Sequence, residues 1–252
     1  MTKHILLIIG MFFLANRNYF SQNGYLYQAA FNGTFYEYGF TSIPVIEITD
    51  APEDTDWDRW SILFDGKTYR LYFMPVGKSD RLYQFGFNTS TEKYEYGYNS
   101  IPVIPVNGLP EDANVTGFSI LHDGANYRLY FKTSSQRKIY QCGYNPSVGE
   151  NGAYVFGYNS IPEIAIVNAP TDTDWKSWSM LHDGEVYRLY FKSSNDKNLL
   201  YQFGFDGKSY TYGHLSAPVL QVIGMPDKTY VKKFNLTHDG MDYRFYNLVK
   251  PE

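Results

Sequence analysis

Apolar and polar residues alternate in short runs along this chain from residue 23 onwards. In the run Tyr-Arg-Leu-Tyr-Phe that begins at Tyr69, a period of two places the first, third and fifth side chains on one face and Arg70 and Tyr72 on the other. Such runs are rich in β-branched and aromatic residues and end at Gly, Pro, Asn or Asp, which is typical of strands. No stretch after residue 23 sustains the 3.6-residue period of a helix. The pattern therefore predicts an all-β protein.

One of these runs recurs four times, each time shortly after an Asp-Gly step. An Asp-Gly step between two alternating runs predicts a tight hairpin, because glycine tolerates the positive φ that the turn requires. The steps recur every 58, 60 and 56 residues, which is typical of stacked or radially arranged supersecondary units. They are Asp65-Gly66, Asp123-Gly124, Asp183-Gly184 and Asp239-Gly240. We predict four repeats at about 25–76, 82–134, 139–194 and 200–250.

The number of repeats favours a closed ring. Roughly four strands in each repeat give about sixteen strands, the make-up of a small β-propeller. A linear array needs polar capping repeats at its ends, whereas the last repeat here keeps the full Asp-Gly-x-x-Tyr-Arg-Phe-Tyr phrase that starts at Asp239. We therefore predict a single four-bladed β-propeller domain over residues 23–252. A β-solenoid and a paired β-sandwich are the alternatives.

The layout of each repeat resembles the blades of hemopexin-type four-bladed propellers. The resemblance covers residues 25–250 and consists of Asp-Gly-x-x-Tyr-x-x-Phe, a short loop, an aromatic strand, Gly-Tyr-x-x-Ile-Pro, Pro-x-Asp and an inner strand. It implies a four-bladed ring. Blades of that family usually open the inner strand with Asp-Ala, where this chain has Trp60-Ser61, Phe118-Ser119, Trp178-Ser179 and Phe234-Asn235. The resemblance therefore implies neither an ion-holding central channel nor haem binding.

Residues 1–22 have the form of a secretory signal peptide. A positively charged start that contains Lys3 precedes the ten-residue apolar run from Ile5 to Leu14, which is too short to span a bilayer comfortably. We therefore expect a secreted or periplasmic, extracytoplasmic protein, and no later run is long enough to predict a membrane span. The alternative is that Arg17–Phe20, which echoes Arg70–Phe73, forms an extra blade strand.

Charge and composition exclude several classes of function. The net charge is −4 and no basic patch is visible, so we expect no nucleic-acid partner. Cys142 is the only cysteine, so the chain forms no internal disulfide, and we expect a buried, apolar role for it. Recognised catalytic and phosphate-binding motifs are missing, so we predict no cofactor, and an enzyme is the weaker class of function.

Aromatic residues make up 19% of the chain, and two tryptophans are candidates for sugar stacking. Trp57 and Trp175 follow Asp56 and Asp174 in an acidic connector of the first and third repeats. We expect this connector to be a loop that leaves both rings partly exposed. The four residues are therefore predicted to contact a ligand.

Charged residues recur in every repeat at two positions. Four arginines each follow an Asp-Gly aspartate by five residues: Arg70, Arg128, Arg188 and Arg244. One interpretation is a structural ion pair between each arginine and its aspartate. The other is a repeated pocket in which the arginines, the aspartates and the amides Gln28, Gln84, Gln141 and Gln202 bind a hydroxyl-rich ligand.

Three histidines, His122, His182 and His238, occupy the same position in three repeats, with Phe64 in the fourth. Three imidazoles that converge on an axis would form a metal site. The alternative is that they simply flank the Asp-Gly hairpins, and we predict no metal.

Together these features favour a secreted, non-catalytic binding module. A lectin-like, glycan-binding propeller with repeated sites is the leading hypothesis, with a glycan or another cell-surface ligand as the partner, because repeated weak sites gain through avidity. A protein-interaction or assembly module is the alternative. A hydrolase of extracellular polysaccharide comes third, since paired carboxylates in the connectors suit glycosidic chemistry.

Overall fold

The computed structural model describes residues 22–134, 137–229 and 233–251, and the regular secondary structure in this part of the chain consists almost entirely of strands. The predicted signal peptide, apart from its last residue Gln22, and the alternative strand at Arg17–Phe20 lie outside the described residues. The strands are β1 (Gln22–Phe31), β2 (Tyr36–Tyr38), β3 (Val45–Ala51), β4 (Thr55–Phe64), β5 (Tyr69–Pro75), β6 (Arg81–Asn88), β7 (Lys93–Tyr96), β8 (Val103–Asn107), β9 (Ala113–His122), β10 (Tyr127–Thr133), β11 (Lys138–Asn145), β12 (Ala153–Phe156), β13 (Glu163–Val167), β14 (Thr173–His182), β15 (Tyr187–Ser193), β16 (Leu199–Phe205), β17 (Ser209–Tyr212), β18 (Val219–Ile223), β19 (Phe234–His238) and β20 (Tyr243–Val249). One short 3₁₀ helix spans Asp227–Thr229.

The strands form repeated antiparallel groups. In the group β4–β8, the inner strand β4 pairs with β5, and β5 pairs with β6. Strand β6 then pairs with both short outer strands, β7 and β8. The groups β9–β13 and β14–β18 repeat this arrangement. About sixteen strands were expected and twenty are described, because the turn and proline between β7 and β8 split the outermost strand of each group into two.

The last group joins the two ends of the described chain. Strands β19 and β20 are completed by β1, whose Tyr25 lies opposite Val249, and then by β2 and β3. Each sequence repeat therefore supplies its outer strands to one group and its inner strands to the next. Neighbouring groups are also linked by parallel pairs of outer strands: β3 with β7, β8 with β12, β13 with β17 and β18 with β2.

Hydrogen bonds around the axis link the four inner strands. Ser61 Oγ accepts from the backbone amide of Ile120 at 3.0 Å, and Ser119 Oγ accepts from that of Met180 at 2.9 Å. Ser179 Oγ accepts from Leu236 at 2.9 Å, and Asn235 Nδ2 donates to Ser61 Oγ at 2.9 Å, which completes the circuit. The buried hydroxyls of these serines tie neighbouring inner strands together.

Aromatic side chains fill the space between neighbouring groups. Trp60 and Trp178 are buried on inner strands, and each of four buried clusters combines residues of adjacent groups. Cys142 is also fully buried, and burial raises the pKa of its thiol to about 12. The predicted all-β class and ring of strands are confirmed; the count of four blades stays a prediction. Among the described residues, no helix is long and apolar enough to cross a membrane.

Candidate ligand pockets between neighbouring strand groups

Each repeated arginine forms an ion pair with the aspartate of its own hairpin. The Arg Nε to Asp Oδ2 distances are 3.4 Å for Arg70, 3.0 Å for Arg128, 2.5 Å for Arg188 and 3.1 Å for Arg244. The other oxygen of each aspartate accepts backbone amides of the turn, as Asp123 Oδ1 does from Ala125 and Asn126. The ion pair that the structural interpretation predicts is therefore present in each of the four hairpins.

A tyrosine of the neighbouring group completes each ion pair. The Tyr187 hydroxyl donates to Asp123 Oδ2 at 2.6 Å, and the Tyr69 hydroxyl donates to Asp239 Oδ2 at 2.5 Å. Tyr127 and Tyr243 make longer versions of this contact, at 3.5 and 3.3 Å, with Asp65 and Asp183. Each network therefore crosses the boundary between two groups.

Hydrogen bonds in these networks shift the pKa values of Asp239 and Tyr187. Burial alone would raise the pKa of Asp239, but the Tyr69 hydroxyl, two backbone amides of the turn and the Arg244 guanidinium lower it to about 2. Burial, followed by the hydrogen bond to Asp123, raises the pKa of Tyr187 to about 12. Near neutral pH Asp239 is therefore charged and Tyr187 is a neutral donor.

A loop between the two outer strands passes over each arginine. Nη1 of Arg70 donates to the carbonyl oxygen of Asn99 at 2.8 Å, and Nη1 of Arg188 donates to that of Leu215 at 2.9 Å. Arg128 makes the same bond to Asn159, whereas Arg244 reaches Thr41 only at 3.4 Å. Nε and Nη1 of each guanidinium are thus held by the protein.

The loop approaches closely because the strand beneath it carries glycine. A Cβ atom at Gly86, Gly143 or Gly204 would lie 2.1, 2.0 or 2.2 Å from a loop carbonyl oxygen, closer than any real Cβ contact. The equivalent residue of β1 is Ala30, which pairs with Glu37 as Gly86 pairs with Glu95. Three of the four loops can therefore lie this close to the strand only because the residue beneath them is glycine.

Four similar cavities lie beside these arginines, and we name each after its arginine. Their volumes are about 240 Å³ for the Arg70 pocket, 270 Å³ for Arg128, 280 Å³ for Arg188 and 210 Å³ for Arg244. Water occupies about 30 Å³ per molecule in the liquid, so each cavity has room for one small ring-sized molecule. The Arg128 pocket is lined by Arg128, Tyr130, Gln141, Asn159, Ser160, Ile161, Ile164, Tyr187, Phe205 and Tyr210.

The pocket walls combine polar groups with aromatic faces. Each pocket is lined by its arginine, a glutamine of the third strand and a serine of the loop, together with tyrosine or phenylalanine residues of the neighbouring group. The buried hydroxyls of Ser42, Ser100 and Ser216 have no protein partner among the described residues. The rims carry exposed aliphatic side chains, Ile161 at 45% and Leu215 at 68%.

The hydrogen bonding of the guanidinium nitrogen Nη2 differs between three of the pockets and the fourth. Within residues 22–134, 137–229 and 233–251, Nη2 of Arg70, Arg128 and Arg188 has no protein hydrogen-bond partner. These side chains are 16, 12 and 14% exposed. Nη2 of Arg244 instead donates to Asp242 Oδ2 at 2.9 Å.

The acidic connectors do not have the structure that the sequence suggested. Trp57 lies on β4, not on a loop, and is only 7% exposed, with its ring 5.1 Å from that of Phe73. Trp175 lies on β14, is half-buried and packs on Phe191 at the same distance. The expected exposure is wrong for Trp57 because Gly24 opens space for the ring; a Cβ there would lie 2.3 Å from it.

The aspartates beside these tryptophans brace the backbone. Asp56 accepts from Arg59 Nε at 2.7 Å and from the amide of Asp58 at 3.0 Å. Asp174 accepts from the amide of Lys176 at 3.0 Å. Neither aspartate lines one of the four pockets, and their predicted ligand role stays a prediction.

The three repeated histidines stand at the ends of inner strands and line a small cavity between those strands. Each ring packs on a tyrosine of its own hairpin, as His182 does on Tyr187 at 4.6 Å. Burial lowers the pKa of His182, although the charges of Asp123 and Asp183 act in the opposite direction. No set of three or more His, Cys, Asp or Glu side chains in the described part of the chain is arranged to hold a metal ion.

Sequence reasoning found the arginines and glutamines but missed the rest of the pocket wall. The serine and the rim residue belong to the repeated phrase Tyr-Asn-Ser-Ile-Pro, seen from Tyr98 and Tyr158 onwards. A polar loop phrase that recurs beside a strand was the available signal. No such signal marked the tyrosines of the neighbouring group, because they reach the pocket only when the groups of strands pack side by side.

No protein-family model and no curated protein matches the chain. Among solved structures, it is similar to AofleA from Arthrobotrys oligospora, with 14% identity and a TM-score of 0.36 over 81% of this chain and 55% of that one. It is similar to the SapL1 lectin in complex with alpha methyl fucoside, with 13% identity and a TM-score of 0.34 over 80% and 60%. It is also similar to a putative 6-phosphogluconolactonase from Bacteroides fragilis, with 11% identity and a TM-score of 0.35 over 89% of this chain and 61% of that one.

This chain spans between 55 and 61% of the length of these three structures. At such TM-scores the likeness indicates nothing about function. The hemopexin-type layout likewise stays a prediction.

Proposed function

We propose that the chain is a non-catalytic carbohydrate-binding protein whose sites are the pockets between neighbouring strand groups. The observation that carries this proposal is the guanidinium of Arg70, Arg128 and Arg188. Its Nε and Nη1 are fixed by the protein, whereas Nη2 has no protein partner among the described residues. A donor that is already held in place binds a ligand oxygen at little cost in conformational entropy.

The composition of the pocket suits a sugar. Sugar hydroxyls both donate and accept hydrogen bonds, and arginine, glutamine and serine side chains offer both kinds of partner. The C–H face of a sugar ring packs on aromatic rings such as Tyr187 and Phe205 of the Arg128 pocket. A cavity of 210 to 280 Å³ limits the buried portion to about one ring.

The charge balance favours neutral sugars. Each arginine is paired with an aspartate that accepts up to four hydrogen bonds, so the pocket carries little net charge. An anionic sugar would gain a contact to the guanidinium but would also lie close to that carboxylate. We therefore propose neutral glycans as ligands, bound weakly at each site and more tightly by several sites together.

The location of this activity is part of the proposal. The signal-like residues 1–22 favour a secreted or periplasmic protein, where glycans of cell surfaces are accessible. Detection of a mature chain that begins near residue 23 outside the cytoplasm tests this element separately.

A substitution at the pocket rim tests the site without disturbing the ion pairs. Ile161 is 45% exposed, so Ile161→Trp should fold normally and fill the mouth of the Arg128 pocket. We expect one binding site fewer per chain, counted by native mass spectrometry with methyl glycosides of glucose, galactose, mannose and fucose. Val76→Trp is the matched control, because Val76 is 59% exposed and lines none of the four pockets.

A second variant tests the role of the guanidinium. Arg128→Lys keeps the charge beside Asp123 but removes the planar fork, and lysine cannot hold the aspartate, the loop carbonyl and a ligand together. We expect the same loss of one site in a folded protein. Unchanged stoichiometry in both variants, or no glycoside bound by the native chain, would contradict the proposed function.

A further inference from the structure

The Arg244 pocket differs from the other three in what contacts its guanidinium. Asp242 lies two residues before Arg244, and its Oδ2 accepts from Arg244 Nη2 at 2.9 Å. The corresponding residues in the other hairpins are Thr68, Asn126 and Val186, none of which is acidic. We propose that Asp242 closes the Arg244 pocket, so that the ring has three competent sites and one that the protein itself keeps weak. This inference rests on the proposed function.

A carboxylate is a strong competitor for that position. A hydrogen bond in which the donor or the acceptor is ionised is roughly twice as strong as one between neutral groups, and here both partners are ionised. A sugar hydroxyl that binds Arg244 must therefore displace a charged acceptor and replace it with a neutral one. At Arg128 a sugar meets no such competitor, because the neutral Asn126 stands at the equivalent position and its side chain is exposed.

The strand beneath the loop supplies an independent difference. Ala30 of β1 takes the place of Gly86, Gly143 and Gly204, where a Cβ would lie about 2 Å from the loop carbonyl oxygen. The loop over Arg244 lies correspondingly farther away, with Thr41 O 3.4 Å from Nη1 compared with 2.8 Å in the Arg70 pocket. The Arg244 pocket is also the smallest, at about 210 Å³. A less tightly held loop and a smaller cavity both disfavour a ligand.

Reciprocal substitutions test the inference. Asp242→Asn should release Nη2 and add a site, whereas Asn126→Asp should introduce the same closure into the Arg128 pocket and remove one. The two changes exchange an amide and a carboxylate of nearly equal size on hairpin turns, so the fold should survive both. We expect three occupied sites in the native chain, four in Asp242→Asn, two in Asn126→Asp and three in the double variant.

The same methyl glycosides, titrated by calorimetry and counted by native mass spectrometry, supply the readout. We expect the affinity of the Arg244 pocket to be about tenfold or more below that of the others in the native chain. Four equal sites in the native chain, or an unchanged count in Asp242→Asn, would overturn the inference while leaving the proposed function intact.

A ligand-free measurement separates the two proposals. Nη2 protons held by a carboxylate exchange slowly with water, so NMR of the arginine side chains should show Arg244 protected in the native chain and not in Asp242→Asn. If no glycoside binds any variant, the proposed function fails, and this measurement decides whether Asp242 holds the guanidinium. Equal exchange at all four arginines would overturn the inference whatever the sugars do.

Discussion

Two kinds of region in the strand groups combine aromatic rings with aspartates, and they use them in opposite ways. In the connector, Trp57 is buried against Phe73, and Asp56 is held by Arg59. In the pocket between groups, the rings of Tyr187 and Phe205 line a cavity beside Arg128. In the first region the aromatic ring is buried in packing contacts, whereas in the second the rings remain accessible to a ligand.

Recurrence distinguishes the two regions. The connector tryptophan occurs in two repeats only, whereas the arginine, glutamine and serine of the pocket recur around the ring. Recurrence alone does not prove function, since a residue that defines the fold must recur as well. What separates them is unused hydrogen-bonding capacity, because an arginine with a free nitrogen remains available for binding after the fold is complete.

The largest effect that we expect comes from Trp57→Ala. Removing a buried tryptophan leaves a cavity and costs about 3–5 kcal/mol of folding free energy, and the Trp57 ring fills the space above Gly24. Sugar binding per folded molecule should not change, since Trp57 lines none of the four pockets. Urea unfolding measures the first effect, and calorimetry at low temperature measures the second.

Trp175→Ala is the matched control, because the same position in another group is only half-buried. We expect a clearly smaller loss of stability there. If both variants kept native stability and lost sugar binding, the connector would be the binding region and the contrast drawn above would be reversed.

A smaller effect on stability, but a specific effect on binding, is expected from Gly143→Ala. The new Cβ would lie 2.0 Å from the carbonyl oxygen of Tyr158, so the loop that carries Asn159 must shift. Crowding of this kind costs about 1–3 kcal/mol, and the Arg128 pocket should lose its ligand. Ala30, at the equivalent place in β1, shows that the fold accommodates the methyl group.

Gly117→Ala serves as the control for this prediction. Its Cβ would meet nothing closer than 3.7 Å, and its backbone φ is not in the left-handed region. The number of sites should stay at the native value. A native count in Gly143→Ala would show that the close loop is not required for binding.

The sequence was most informative where structure depends on neighbouring residues. Alternation gave the strands, and the Asp-Gly steps gave the hairpins, in which Asp65 accepts the amides of Lys67 and Thr68. The ion pair between Arg70 and Asp65 followed from the same five-residue spacing. All of these contacts lie within one hairpin.

Features that depend on ring closure could not be predicted. Trp57 is buried because Gly24 lies beneath it on β1, which belongs to the group completed by the last two strands. The Tyr69 hydroxyl reaches Asp239 across 170 positions of sequence. A pocket between groups has no signature in any single repeat, since its two walls come from different repeats.

The smallest effect expected concerns pH, and it tests whether the pocket network acts as one unit. The folded-state pKa of Asp239 is about 2, below the value near 3.9 of an unfolded chain. Since the folded pKa is the lower one, the stabilisation is present above about pH 4 and is lost as the pH falls through the folded value. Sugar affinity should therefore be flat from pH 8 to pH 5, and stability should fall below pH 4. In Asp239→Asn the acid limb of the unfolding curve should be shallower, and a sugar affinity that changed between pH 5 and 8 would mean that a group outside these ion pairs controls the pockets.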